Sequence, residues 1–241
     1  IYYYNGSVFS VVGDELYRDG AVIQVLSTID GPVGFHEYAG ADVEYLVVLD
    51  GISGWTISST NVVAKITDAD FPTPHLVQAA FLDGYLFVVK AGTDDIYNCV
   101  LENIFSWQPG DFITAEMSQD ALKALCRQKN YIVAIGERTM EYFYNTGEFP
   151  GTPLARNAAA LHQIGTSAPA TLAQVEEQLL FVGQTATGGR TVWLLNGFTP
   201  TEISTEVIRR SLDAETLNMS NAKAFCVRSK GHKFYVINLS D

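Results

Sequence analysis

Phe81-Leu82-Asp83-Gly84-Tyr85-Leu86-Phe87-Val88-Val89-Lys90 decides the fold. It holds an apolar run, an Asp-Gly pair, and a second apolar run rich in β-branched and aromatic residues. Such residues fit a pleated surface, and Asp-Gly suits the φ > 0 positions of a tight hairpin. The stretch therefore reads as two antiparallel strands and their turn. Outward from it, similar turn pairs stand at Asn5-Gly6, Asp19-Gly20, Asp50-Gly51 and Asn196-Gly197. Short apolar runs recur at Val8 to Val12, Tyr45 to Leu49, Tyr131 to Ile135, Leu179 to Val182, Val192 to Leu195 and Phe234 to Leu239.

A loose repeat orders these runs: strand, polar turn, strand ending near Gly, then a strand carrying an aromatic. Its turns fall at Gly84, Asn130, Glu177 and Gly231, spaced 46, 47 and 54 residues apart. A period of roughly 40 to 50 residues with three or four strands is the signature of propeller blades. One twisted blade cannot bury both faces alone, whereas neighbouring blades cover each other. The sequence thus predicts an all-β, β-propeller-like fold with antiparallel blades of three or four strands, incomplete or part of a longer chain. A β-sandwich fits the spacing less well. One propeller-like domain is expected over 1–241, with approximate blades at 1–40, 41–78, 79–120, 121–173, 174–212 and 213–241. The N-terminal third reads as less regular, with hairpins at Val8 to Tyr17 and Tyr45 to Ile57. A short helix is predicted from near Thr205 through Ile208 to Leu212, capped by Ser204 or Thr205. Asp120 to Gln128 reads two ways: Leu122, Leu125 and Cys126 fit one helical face, while the neighbouring runs favour an outer strand.

The chain has 241 residues, 47% hydrophobic and 17% charged, and a net charge of −12 from 15 Lys and Arg against 27 Asp and Glu. Affinity for duplex DNA comes mainly from cationic contacts, so a gripping DNA binder is not expected. The densest basic stretch, Arg228, Lys230, His232 and Lys233, reads as a solvated strand edge. Cys99, Cys126 and Cys226 are odd in number and lack CxxC spacing, so buried thiols and a reducing compartment are expected. There is no apolar run long enough to span a membrane and no signal-peptide pattern. The chain begins at Ile1 within a strand-like run, and a preceding segment is expected.

Candidate chemistry is sparse. His36, His75, His162 and His232 show no metal-motif spacing. Thr187-Gly188-Gly189-Arg190 lacks a phosphate-loop lysine and reads as a hairpin turn. Asp83, Asp111, Glu116 and Glu141 lie near strand ends, where a glycosidase would place its carboxylate pair; Asp83 is also explained by its turn, and Asp94-Asp95 reads as a hairpin tip. Tyr2, Tyr3, Tyr4, Tyr142, Phe143 and Tyr144 could form a stacking platform or serve blade packing. Phe149-Pro150 and Phe198-Thr199-Pro200 are loop apolars suited either to an interface or to folding back on their own blade. No catalytic, cofactor-binding or metal residue is assigned, and the chain is read as non-enzymatic. The competing reading is a carbohydrate-active or carbohydrate-binding propeller.

Several motifs stand in a common order. They are Phe81-Leu82-Asp83-Gly84-Tyr85; Ser106-Trp107, Asp111-Phe112 and Ala115-Glu116; Glu141 with Tyr144-Asn145-Thr146-Gly147; and Gly165, Ala168-Pro169 and Gly183-Gln184. Val192-Trp193, Asn196-Gly197-Phe198-Thr199-Pro200 and Ile203-Ser204-Thr205 follow, and Gly231-His232-Lys233-Phe234-Tyr235 closes the series. Through them the chain, from about Leu76 to Ile237, resembles the packaged-DNA-stabilisation proteins of short-tailed bacteriophages, the tail-hub or head-completion family. Thr185 to Arg190 and Asp213 to Asn221 depart from the pattern, and the first 75 residues resemble the family only in texture. Family members are longer than this chain. The resemblance implies a structural virion protein, assembled in the host cytoplasm, that forms a hexamer ring below the portal. It would close the DNA channel and retain packaged DNA. The implied partners are copies of itself, the portal-adaptor protein, a tailspike and a tail needle. No catalytic residue or cofactor is carried over.

Overall fold

Strand pairing follows sequence order. The structure, a computed structural model, describes residues 1–118, 120–214 and 219–239. The first sheet holds β1 (Tyr2–Tyr4), β2 (Ser7–Val12), β3 (Glu15–Arg18) and β4 (Ala21–Val25). The second holds β5 (Gly34–Ala39), β6 (Glu44–Leu49), β7 (Gly54–Ser58) and β8 (Val63–Lys65). The third holds β9 (His75–Leu82), β10 (Tyr85–Lys90), β11 (Asp95–Val100) and β12 (Asn103–Thr114). The fourth holds β13 (Leu122–Gln128), β14 (Tyr131–Gly136), β15 (Met140–Asn145) and β16 (Leu154–His162). The fifth runs β17 (Ile164–Gly165), then β19 (Gln178–Thr185), β20 (Arg190–Asn196) and β21 (Thr199–Glu202), with β18 (Ala173–Val175) also paired to β19. After α1 (Glu206–Ala214) comes a hairpin of β22 (Lys223–Ser229) and β23 (His232–Asn238). Serial antiparallel sheets of this kind make the chain all-β and propeller-like.

Turn chemistry sets the hairpins. Asn5, Asp19, Asp83 and Lys230 have φ between 44° and 50°, and each is followed by a glycine with φ between 80° and 84°. Two successive left-handed residues form the turn whose twist matches the flanking strands. The N-terminal third is more regular than its sequence implies: it forms two complete four-stranded sheets. Leu122–Gln128 is a strand, because six of its seven residues pair in register with β14, the register shifting at Lys123, and Leu122, Ala124, Leu125 and Gln128 are buried there. The predicted helix forms, with the Arg209 N–H donating to the Thr205 carbonyl at its first turn. Of the poorly matching region 213–221, residues 215–218 lie outside the described residues.

The chain divides into two compact units, 1–114 with 145–155, and 115–144 with 156–241. In the first unit, Phe9, Leu16 and Leu26 pack with Leu46, Val48, Trp55 and Ile57. The alternate residues of β6, Val47 and Leu49, join Leu86, Val88, Cys99, Ile104 and Trp107 in a second cluster. Successive strand residues point to opposite faces, so β6 lies between two apolar layers. In the second unit, Val133, Ile135, Met140 and Tyr142 pack with Leu179 and Phe181. From the same strand, Val182 packs with Val192, Leu212, Met219, Tyr235 and Ile237. The second strands β6, β10, β14 and β19 each carry four or five consecutive buried residues. β2 and the closing hairpin do not.

Close backbone approaches lock these layers. A Cβ on Gly34 would stand 1.9 Å from the Val77 carbonyl oxygen, and one on Gly165 would stand 2.2 Å from the backbone of Glu137 and Arg138. Asp50, buried in the β6–β7 turn, accepts from the Ser27, Ile52 and Ser53 N–H groups and from Trp55 Nε1 at 2.6–3.1 Å. It thereby ties the linker after the first sheet to the second. Burial alone would raise its pKa, but these donors outweigh burial and hold the carboxyl below its ordinary value. His36, which hydrogen-bonds the Val77 carbonyl, and His75, whose Nδ1 meets the Pro72 carbonyl, are both held below the ordinary imidazole range by burial.

Two predictions follow from this packing. Gly34→Ala and Gly165→Ala should each destabilise their unit by about 1–3 kcal/mol, read as a lower urea midpoint, because the obstructing atoms are backbone. The second concerns acid. Both histidines fold neutral, so their contribution is complete above about pH 6.5 and declines as pH falls below it. Asp50 adds a further loss below about pH 4 as its carboxyl protonates. The melting temperature should therefore fall between pH 7.5 and pH 5, and faster below pH 4; a melting temperature unchanged over that range would contradict the assignment.

Candidate functional surface

Three of the four acidic residues near strand ends, Asp83, Glu116 and Glu141, are engaged by neighbouring side chains or backbone. Asp83 sits at a left-handed turn position and accepts from Asn145 Nδ2 at 3.1 Å. Asp111 lies on β12, where burial raises its pKa. Glu141, almost fully buried on β15, accepts from the Met117 N–H at 2.8 Å and pairs with Arg156 Nε at 2.5 Å. Glu116 reaches the same guanidinium at 3.7 Å. Glu116 and Glu141 therefore both face one cation, the Arg156 guanidinium. Asp94-Asp95 is a hairpin tip as expected: Asp95 opens β11 and accepts from Thr114 Oγ1. Asp120 takes the Arg138 and Thr139 N–H groups, and Asp213 takes that of Arg190. These carboxylates act as backbone staples at sheet turns.

The remaining candidates also resolve into packing. Among the described residues, no three His, Cys, Asp or Glu side chains are placed to hold a metal ion. Cys99 and Cys126 are free thiols pushed up to about 12 by burial. Thr185 Oγ1 accepts from the Gly188 N–H and closes the Thr187–Arg190 turn. Tyr2 stacks on Phe35 at 5.6 Å, and Tyr142 donates to the Gly197 carbonyl. Phe198 folds back against Tyr131 and Tyr142, whereas Phe149 is 77% exposed. Arg228 and Lys233 share one carboxylate, Glu176, so two of the basic stretch's side chains are ion-paired locally. A cleft of about 350 Å³ beside α1 is lined by Trp193, Arg209 and Glu202. Its charges are matched there, since Arg209 pairs with both Glu202 and Glu206. Among the described residues no helix is long and apolar enough to cross a membrane.

What stands out is apolar surface. On the closing hairpin Phe225, Val227, Phe234 and Val236 are 38–57% exposed, and the register pairs Phe225 with Val236 and Val227 with Phe234. They form one continuous apolar face; the other face, with Tyr235 and Ile237, packs on the fifth sheet's cluster. On the first sheet Tyr3, Val8, Val12, Val22 and Val25 are 44–69% exposed. The sequence analysis missed both faces. The signal was present in β22 and β23, where both alternating sets of residues are apolar, a pattern that calls for cover on both sides.

Comparison with known proteins agrees with the architecture. No curated protein matches the chain. Virginiamycin B lyase from Staphylococcus aureus is similar in fold at 9% identity and a TM-score of 0.52, over 93% of this chain and 71% of that one. The dihydro-heme d1 dehydrogenase NirN in complex with DHE is similar at 11% identity and a TM-score of 0.55, over 96% of this chain and 48% of that one. Identities this low show the fold alone. The family described as Bacteriophage P22 Gp10, beta-propeller, matches residues 2–241. That match spans the first two sheets, which in sequence carry only the family's texture, as well as every motif after them. The chain belongs to this phage-stabilisation family of β-propellers.

Proposed function

We propose that the chain is a non-enzymatic structural subunit of a phage virion, a tail-hub or head-completion protein. Copies of it form a ring below the portal, close the DNA channel after packaging and retain the genome. Its partners in this reading are the portal-adaptor protein, a tailspike and a tail needle. The observation that carries the reading is the family match over residues 2–241.

Two features of the chain support it. A net charge of −12 gives DNA little to hold, since phosphate affinity depends on neutralising cations. DNA that must later leave through a ring is better met by a non-adhesive lining, so retention rests on steric closure. Of the acids a glycosidase would draw on, Glu116 and Glu141 pair with Arg156, Glu141 also accepts from the Met117 N–H, and Asp83 accepts from Asn145, which is the chemistry of a scaffold.

The test is a phage whose gene for this protein is disrupted. Its particles should package DNA and then lose most of it, leaving heads sensitive to nuclease, and protein supplied in trans should restore filled, infectious particles. Particles that stay full and infectious without the protein would overturn the reading.

A further inference from the structure

Within the first unit, hairpin turns from different sheets meet at one set of strand ends. Asn5 Nδ2, in the β1–β2 turn, donates to the Ser59 carbonyl in the β7–β8 turn at 3.3 Å. Tyr38, near the end of β5, donates to the Gly84 carbonyl in the β9–β10 turn at 3.2 Å. That carbonyl also accepts from the Glu102 N–H of the β11–β12 turn at 2.9 Å. Asp83 then accepts from Asn145, where the connection 145–155 of the same unit begins. These contacts make one continuous surface of turns. Sheets pack through their faces, so a neighbouring sheet leaves such strand ends open.

Apolar side chains stand out on this surface. Val43, Val62, Leu101 and Phe149 are 40–77% exposed. Val43 and Tyr45 line a groove of about 410 Å³ with Asp42 and Glu44, and Phe105 packs edge-on against Tyr45 at 5.7 Å. The loop that presents Phe149 is braced at its base. The Thr146 N–H and hydroxyl both donate to the Pro153 carbonyl, the Gly147 N–H donates to Asn145 Oδ1, and the Glu148 N–H donates to Thr146 Oγ1. An aromatic held out by a braced loop forfeits little freedom on binding and suits the role of an anchor.

Charge selects the occupant. Residues 1–114 and 145–155 hold 16 Asp and Glu against 3 Lys and Arg, whereas the second unit, with 11 acids and 12 bases, is near neutral. Asp42, Glu44, Asp83, Glu102 and Glu148 lie on the surface of turns, and among the described residues none of them pairs with a Lys or Arg. Lys65 and Lys90 end β8 and β10 at the opposite strand ends. DNA and anionic lipid are repelled by such a surface. A second copy of the chain offers no strongly cationic unit to match it. A cationic protein surface does match it.

We infer that this end of the first unit docks a Lys- or Arg-rich segment of a different protein, anchored by apolar side chains packed against Phe149 and Leu101. The acids set its charge and orientation, and the apolar residues hold it.

The probe is a short fluorescein-labelled peptide of Lys interrupted by single Leu and Trp residues, titrated with the full chain and followed by anisotropy. It should bind with a Kd below about 100 μM at low salt and more weakly as salt rises. Replacing its Lys by Glu should abolish binding, and replacing its Leu and Trp by Ser should weaken it. Leu101→Ser with Phe149→Ser should weaken binding at least about fivefold with circular dichroism unchanged. Glu102→Lys with Glu148→Lys should weaken it by a similar factor. Asp30→Lys with Asp70→Lys, which makes the same change of net charge on exposed linkers between sheets, should leave it within about twofold. Failure of the Lys-rich peptide to bind overturns the inference. So do equal losses from the two charge pairs, which would mean that net charge alone attracts the peptide, and binding indifferent to Leu101 and Phe149. These titrations use the isolated chain, so genome loss from phage lacking the protein tests the hub reading separately.

Discussion

A sheet that is apolar on both faces is stable only between two other apolar layers. At about 25 cal/mol per Å² of buried apolar surface, a side chain exposed on one face forgoes stabilisation comparable to that of several hydrogen bonds. Everything else in this chain answers that constraint. The second strand of each middle sheet is buried along most of its length, and glycines at Gly34 and Gly165 let neighbouring backbones close in. The buried carboxylate of Asp50 then satisfies the Ser27, Ile52 and Ser53 N–H groups that this packing draws away from water.

The same constraint explains the chemistry of the acids. A buried carboxylate needs donors, and each one here finds them in backbone N–H groups or a guanidinium. Asp50 accepts from four donors. Those donors hold the Asp50 carboxyl below its ordinary value despite its burial, and the virginiamycin B lyase and the dihydro-heme d1 dehydrogenase are similar to this chain in fold alone. Fold similarity at such low identity carries no activity with it.

Much of the fold was legible in the sequence. Asp83-Gly84 and the apolar run after it announce a hairpin, and the near-regular spacing to Asn130 and Glu177 announces its repetition. Asp120 to Gln128 was ambiguous because so short a stretch can satisfy both periods; pairing of Leu122–Gln128 with β14 decides it. The pairing of Glu141 with Arg156 was hidden, since it depends on the path of the long β15–β16 connection. So was the reach of Asp50 to Ser27: the turn pair Asp50-Gly51 is a local signal, but the linker it anchors lies 23 residues away. The open faces were hidden for a different reason. Alternation in Phe225-Cys226-Val227 shows that both sides are apolar, and it does not say which side a neighbour covers.

Amide hydrogen exchange read by mass spectrometry tests the central claim most directly. If cover on both faces is what stabilises these sheets, peptides spanning 46–49, 86–89, 132–135 and 179–182 should exchange slowest, and in the isolated chain the 223–238 hairpin should exchange far sooner. Equal protection of that hairpin and the middle strands, or fast exchange in β6, β10, β14 and β19, would contradict the account.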